Sequence, residues 1–342
     1  VTTALRNRQI LYAHRPDGAL TEDAFQLTDA AVPALQSGEV TCRTVLLSID
    51  AANRAWMQGR TYRDELQEGE VMAGFGICEV VDERDTGIPV GWVVTAEPGW
   101  QEYTVLPARR VTPMPVLGPL THHLSVLGIT GLTAYFGLFR VGHPRPGETV
   151  LVSAAAGATG NVVGQLARLK GCRAVGITGS DAKNAFLVDE LGFDAAVNHR
   201  SPSFGDDLRS ACPDGVDVYF DNVGGPTLER ALRLMSLHGR IVCCGAVSQY
   251  DTGNPATGAG TVGVPGLVVT KRLRMEGFIV IDFVSEWPEA IQELVGWIAS
   301  GDVVVVEDVV EGLERAPEAL IGLLAGDNVG KRMVRVGPDP EL

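Results

Sequence analysis

Residues 150–160 read Val-Leu-Val-Ser-Ala-Ala-Ala-Gly-Ala-Thr-Gly and run into the helical stretch Asn161–Lys170. An apolar strand, a turn made only of small residues and a helix start leave few folds open to the chain. Small residues let a backbone approach a pyrophosphate closely, and a helix N-terminus supplies N–H groups and partial positive charge to meet it. Ala155 stands where the first glycine of such a turn usually falls, so the motif is A-x-G-x-x-G with Gly157 and Gly160. Alone this pattern is weak; at the head of several strand–helix units it becomes specific. The competing reading is a tightly packed strand-to-helix turn that holds no ligand.

The surrounding chain supplies those units. Thr149–Ala154 precedes Asn161–Lys170, Arg173–Thr178 precedes Ala182–Leu191, and Ala195–Asn198, Val216–Asp221, a helix near Thr227–Ser236 and Arg240–Cys244 follow. The strands are nearly continuous in apolar residues, which predicts a parallel sheet covered by helices on both faces. Before this region, from about Ala30 to Pro115, short β-rich runs such as Arg43–Asp50, Gly76–Asp82 and Gly91–Ala96 are punctuated by Gly, Pro and Asp, as in a β-barrel-like domain. After about Gly301 the runs Val303–Val306 and Arg332–Val336 return to a β pattern. The predicted organisation is residues 1–128 in a β-rich domain, 129–300 in an α/β domain, and 301–342 back in the first. The Gly- and Thr-rich stretch Thr252–Pro265 reads as a mobile loop.

Composition narrows the partners. The 342 residues carry a formal net charge of −14, with 45% hydrophobic and 20% charged residues. That balance fits a globular protein and repels phosphate backbones and anionic membranes, so no nucleic acid and no membrane are expected. Val1–Ile10 is polar and no span suits a bilayer, while Cys42, Cys78, Cys172, Cys212, Cys243 and Cys244 form no C-x-x-C pair. A cytoplasmic protein with reduced, mostly buried thiols is the expectation.

Which dinucleotide is read from the second strand. A site for NAD usually has an acidic residue there for the ribose 2′-hydroxyl. Here Gly179 and Ser180 occupy that place, and Lys183 lies on the first turn of the next helix, with His199 and Arg200 after the third strand. This favours NADP(H). In the bland alternative, Lys183 is a solvated lysine and Asp181 an N-cap.

Several ordered blocks carry a family likeness. They are Gly128–Gly137, Ser153–Gly160, Gly164–Gly171, Gly179–Lys183, Tyr219–Gly225, Gly239–Gly245, Lys271–Phe278 and Gly326–Lys331. Over nearly its whole length the chain resembles the medium-chain dehydrogenase/reductase superfamily. Within it, the chain is similar to the zinc-lacking leukotriene/prostaglandin reductases, alkenal double-bond reductases and bacterial curcumin-type reductases. The resemblance implies an α/β protein with a GroES-like β-rich domain, a doubly wound Rossmann domain and a cleft between them. It implies cofactor contacts from Thr133, Ala156, Gly157, Thr159, Gly160, Gly179, Lys183, His199, Asn222, Cys244, Gly245, Ala246, Phe278, Val280 and Asn328, and a homodimer. Tyr250 and Tyr62 are the implied catalytic candidates, with Asn53 and Met57 beside them in the substrate pocket. Two departures stand out: the family usually has tyrosine where His199 stands, and proline with a bulkier residue within Asp50–Arg54. Asn222 as a strand-end cap, Cys244 as core packing and Asn328 as a turn residue remain open.

The residues also speak about chemistry. Met72-Ala-Gly-Phe-Gly lacks the Gly-His-Glu motif of zinc-dependent relatives, and adjacent His122 and His123 make a poor chelate, so no metal is expected. Conjugate reduction then fits better than alcohol–carbonyl interconversion. Hydride reaches the β-carbon of an unsaturated carbonyl substrate, and a hydroxyl donor meets the enolate charge. A quinone oxidoreductase of the same superfamily and a non-catalytic NADPH-binding protein are the alternatives.

Overall fold

The computed structural model describes residues 6–59, 64–250 and 264–341. These fall into two compact units that share the chain unevenly. One runs to Leu124 and resumes over Asp308–Asp327 and Arg332–Leu342; the other comprises Ser125–Glu307 and Asn328–Lys331.

In the first unit β1 (Arg6–Tyr12) pairs antiparallel with β2 (Phe25–Ala31). Its larger sheet is organised on β3 (Glu39–Ser48), which pairs antiparallel with β4 (Gly76–Arg84), β6 (Tyr103–Pro107) and β15 (Lys331–Arg335). β5 (Val93–Ala96), β7 (Thr112–Pro113) and β14 (Glu307–Glu311) complete seven strands in the order β14-β15-β3-β4-β5-β7, with β6 on β3. β3 is buried on both faces: Val40 and Cys42 pack with Cys78, Val80 and Val94, while Leu47 joins Tyr12, Met72 and Trp100. A strand covered on both sides cannot show clean alternation. The sequence run expected to end at Asp50 instead stops at Ser48, because Asp50 caps the short helix α1 (Ala51–Trp56).

The second unit holds six strands: β8 (Thr149–Val152), β9 (Arg173–Thr178), β10 (Ala195–Asn198), β11 (Val216–Asp221), β12 (Met235–Cys243) and β13 (Arg274–Gly277). They lie in the order β10-β9-β8-β11-β12-β13, every pair parallel. Successive side chains leave a strand on opposite faces. Val150, Val152, Val218, Phe220 and Val242 therefore face one layer, with α2 (Ile129–Phe136), α3 (Ala158–Leu169) and α9 (Trp287–Ser300). Leu151, Val175, Tyr219 and Ile241 face the other, with α5 (Phe204–Ala211), α6 (Gly225–Leu234) and α8 (Val264–Lys271). At ~25 cal/mol per Å² of apolar area, a Val, Leu or Phe so buried contributes about 1.5–3 kcal/mol, which makes these two layers the main hold on the sheet. The strand order reverses between β8 and β11, and that switch point is where such sheets take ligands.

Three expectations are corrected. Val303–Val306 is no strand; Gln165 exchanges hydrogen bonds with both the N–H and the C=O of Val304, at 2.7 and 3.1 Å, and so takes the backbone groups a ladder would need. β12 begins at Met235 rather than Arg240; Met235 pairs with Val216, and a register irregularity separates that pair from Arg240 opposite Val218. The expected helix to Ser236 ends at Leu234, since Met235 turns extended at ψ 135°. The Thr252–Pro265 stretch lies outside the described residues except for Val264 and Pro265, which open α8.

Candidate functional site

The turn between β8 and α3 is built of small residues and leaves no room for a side chain at Gly160. Gly157 is the extended N-cap of α3 and its N–H donates to the Ala154 carbonyl at 2.9 Å. A Cβ on Gly160 would lie 2.4 Å from that same carbonyl oxygen and 2.8 Å from the Ala155 Cα, so only glycine fits. The left-handed residue of the turn is Ala154, at φ 48°, not Ala155, which stands in the glycine position of the motif and is fully buried. Non-glycine residues rarely hold such a φ, and they concentrate at functional turns. The first N–H groups of α3 have no intrahelical partner by geometry, and groups of this kind can meet an anion. Ala156 is buried and its carbonyl accepts from the Gly330 N–H at 2.8 Å; Thr159 is half-buried on the first turn of α3.

Behind this turn stands Asp221, 3% exposed, at the end of β11. Its Oδ1 accepts from the Tyr219 hydroxyl at 2.8 Å, the Ser153 hydroxyl at 3.1 Å, and the N–H groups of Val223 and Gly224 at 3.0 and 2.9 Å. Burial, then the Asp221 charge, pushes the Tyr219 hydroxyl well above its ordinary value. Asn222 is tied to the same point: its N–H donates to Ser153 Oγ at 2.9 Å and its Nδ2 to the Ser153 carbonyl at 2.7 Å. The network links the ends of β8 and β11, which are the two sides of the switch point. Sequence reasoning singled out Asn222 and missed Asp221 and Ser153, because a buried aspartate reads as an ordinary strand end until its donors are seen. Gly245 packs against Asn222, whose carbonyl oxygen would be 3.2 Å from an added Cβ, and Ala246 lies against Gly224.

A second cluster forms where β9 ends. Ser180 caps α4 (Asp181–Asp189) by accepting from the Lys183 N–H at 3.3 Å, so the cap is Ser180 rather than Asp181. Gly179 opens a space fronted by basic groups: an added Cβ would meet His199 Nε2 at 3.4 Å and Arg200 Nε at 3.6 Å. Lys183 Nζ donates to the Asn328 carbonyl at 2.7 Å, which brings a residue from far along the chain beside this space. The Asn328 side chain donates in turn to the Gly330 carbonyl at 2.8 Å. Partial burial, then the neighbouring Arg200 charge, holds the His199 imidazole below its usual pKa.

The remaining candidates separate. Phe278 packs toward Gly137, where a Cβ would be 2.5 Å from its ring, and Val280 is buried with its carbonyl accepting from the Trp287 indole at 3.3 Å. Thr133 is half-buried on α2, and its hydroxyl donates to the Ile129 carbonyl at 2.6 Å. Burial, with Asp221 and Cys243, pushes the Cys244 thiol up to about 12, so it stays protonated and is no nucleophile. Tyr250 is the last residue of the short helix α7 (Val247–Tyr250), and Tyr62 lies outside the described residues.

Asn53 and Met57 lie in the interior of the first unit. Asn53 is 1% exposed, donates to the Ala73 carbonyl at 3.0 Å and accepts from the Asp50 N–H at 2.8 Å. Met57 is fully buried in the core of the first unit. Both side chains are committed to holding α1 on its own unit.

Among the described residues, no three of His, Cys, Asp or Glu come together to hold a metal ion, and no helix is long and apolar enough to cross a membrane. His123 instead accepts from the Leu117 N–H at 3.1 Å.

Comparison with known proteins adds to this geometry. Residues 8–114 match the family model described as the N-terminal domain of oxidoreductase, and residues 158–296 that described as zinc-binding dehydrogenase. Prostaglandin reductase 1 of Mus musculus is 41% identical over 325 residues, covering 93% of this chain and 96% of its own. The NADP(+)-dependent 2-alkenal reductase of Nicotiana tabacum is 37% identical over 348 residues, covering 96% and 97%. The crystal structure of CurA in complex with NADPH from Vibrio vulnificus superposes with a TM-score of 0.92 at 37% identity, covering 97% of this chain and all of that one.

Proposed function

Because this chain belongs to the medium-chain dehydrogenase/reductase superfamily, in its zinc-lacking branch of prostaglandin and alkenal reductases, we propose that it reduces the carbon–carbon double bond of α,β-unsaturated ketones or aldehydes with NADPH. The observation that carries the cofactor half of this reading is the space at Gly179. A carboxylate there would repel a phosphate; instead His199 and Arg200 front it and Lys183 stands on the adjoining helix.

Bound NADPH supplies the hydride. The chain's own residues hold and aim it. Gly157 and Gly160 keep the turn free of side chains, so the α3 N-terminus meets the pyrophosphate at close range. Lys183, His199 and Arg200 meet the 2′-phosphate. The Asp221 network fixes Asn222 and Ser153 at the switch point beneath the turn. Hydride arriving at the substrate's β-carbon leaves negative charge on its carbonyl oxygen, and we assign the hydroxyl of Tyr250 to donate there. Its support is position: α7 follows the C-terminal end of β12, the side on which open α/β sheets bind ligands. A tyrosine hydroxyl with a pKa of about 10 is protonated at neutral pH and so can donate.

We also propose a homodimer in the cytoplasm. β13 ends the six-stranded sheet with no further strand on its outer edge among the described residues, and Met275, Ile279, Ile281 and Val284 are exposed on or after it. An edge of this kind invites pairing with a second copy about a two-fold axis. Sedimentation at micromolar concentration should give twice the chain mass, and a monomer would remove this assignment. The six free thiols support a reducing compartment.

The functional reading is tested by incubating purified protein and NADPH with an alkenal, an enone, a saturated aldehyde and a small quinone, with product identified by mass spectrometry. The saturated carbonyl compound should form from the first two. Turnover of the quinone alone would make the protein a quinone reductase, and binding of NADPH without turnover would make it a non-catalytic relative.

A further inference from the structure

The 2′-phosphate cluster contains a group whose charge changes near neutral pH. We propose that His199 reads the 2′-phosphate in a protonation-dependent way, so that the preference for NADPH over NADH strengthens as pH falls. This rests on the cofactor reading given above. The geometry is specific: the space left by Gly179 is 3.4 Å from His199 Nε2, and the His199 N–H is fixed to the Thr178 carbonyl at 2.9 Å. The backbone that carries the imidazole is therefore anchored beside the cluster.

The charged groups around this turn are few. Arg200 follows His199 directly and fronts the same space. From α4 come Lys183, on the Asn328 carbonyl, and Asp181, which accepts from Asn198 Nδ2 at 2.9 Å. From α5, Asp207 is engaged by the hydroxyls of Ser201 and Ser203. Positive charge thus predominates at the space itself, and partial burial, then the Arg200 charge, holds the free imidazole below its ordinary pKa. A dianionic phosphate reverses that balance and raises the bound-state pKa. Linkage gives the sign. Above both pKa values the imidazole adds only a neutral contact. As pH falls through the bound-state pKa, binding takes up a proton and strengthens, and the gain levels off below the free-state pKa. The exposed position of His199 limits screening-free gain, so about three- to tenfold is expected from replacing a neutral hydrogen bond by a charged one.

Calorimetric binding of adenosine 2′,5′-bisphosphate and 5′-AMP, from about pH 8 to about pH 6, tests this on wild type and His199→Gln. The ratio of the two affinities should rise about three- to tenfold more in wild type than in the variant. The free ligand's own phosphate titration near pH ~6 is common to both proteins and cancels, so the remaining difference belongs to the bound His199–phosphate pair. Parallel profiles for wild type and variant would overturn the inference while leaving the cofactor reading intact. Absence of any preference for the bisphosphate over AMP, at every pH, would overturn the cofactor reading as well. An independent check needs no variant: the His199 imidazole pKa, followed by NMR, should rise on adding the bisphosphate and not on adding AMP, and an unchanged value would refute the proposal.

Discussion

Replacing Gly160 by alanine separates two effects of opposite sign. Helix propensity alone favours alanine over glycine inside a helix by about 1 kcal/mol. The structure predicts the reverse outcome. The added methyl would stand 2.4 Å from the Ala154 carbonyl oxygen, 2.8 Å from the Ala155 Cα and 3.0 Å from the Ala154 carbonyl carbon. All three obstacles are backbone, so no side-chain rotation relieves them. The shortfall against an ordinary carbon–oxygen contact is roughly 0.9 Å, and overpacking of this kind costs about 1–3 kcal/mol. For a unit of this size, about 2 kcal/mol lowers Tm by roughly 4–8 °C. Relief comes by moving the Ala154 turn away from α3, which displaces the surface that meets the pyrophosphate. Affinity should therefore fall about tenfold or more for NADPH and NADH alike, since both carry that group. Gly157→Ala is the internal control for stability alone, because its added methyl meets only the Ala154 oxygen, at 3.1 Å, with φ at an ordinary −79°. Thermal denaturation of both variants and titration calorimetry of Gly160→Ala decide the matter. If Gly160→Ala keeps the wild-type Tm and both affinities, or if Gly157→Ala loses as much Tm, the close-approach account of this turn is wrong.

Other expectations follow from the same site. Lys183→Ala should weaken NADPH about ten- to hundredfold and leave NADH nearly unchanged, from loss of a charge-assisted contact of about 1.5–3 kcal/mol; equal losses in a binding titration would show that Lys183 does not read the phosphate. Tyr250→Phe should lower kcat/KM for an enone about ten- to hundredfold with little change in NADPH affinity, short of the ~10²–10³ of a sole oxyanion donor; unchanged turnover would shift the role to Tyr62 or the ribose. Purified protein should contain no stoichiometric zinc and keep its activity after chelator treatment, and activity lost together with a tightly bound zinc would contradict that.

Local patterns were legible in the sequence, and long-range closures were not. β9, β10 and β11 fall on the residue ranges read from their apolar runs, because parallel strands covered on both faces are written as continuous hydrophobic stretches. The pyrophosphate turn was legible for the same reason, being local. The left-handed backbone at Ala154 was not legible, since small residues at 154, 155 and 156 are indistinguishable until the backbone is seen. The Asp221 network joins residues about seventy positions apart, and no periodicity announces it. Asn53 is a substrate contact only in what the family resemblance implies. Its amide is consumed by a capping box and the Ala73 carbonyl, a choice set by tertiary packing.

The return of Asn328–Lys331 to the second unit has a consequence for how the molecule is made. Gly330 supplies the N–H received by Ala156, and the Asn328 carbonyl receives Lys183, yet the stretches Asp308–Asp327 and Arg332–Leu342 on either side belong to the first unit. A ribosome therefore releases β8 through β13 well before the four residues that close the nucleotide end of their sheet. A fragment ending at Glu307 contains every strand of that sheet but lacks the latch over the phosphate cluster. A full complement of these contacts therefore requires the chain to have already emerged through the helix α10 (Ala316–Ala325), which belongs to the other unit.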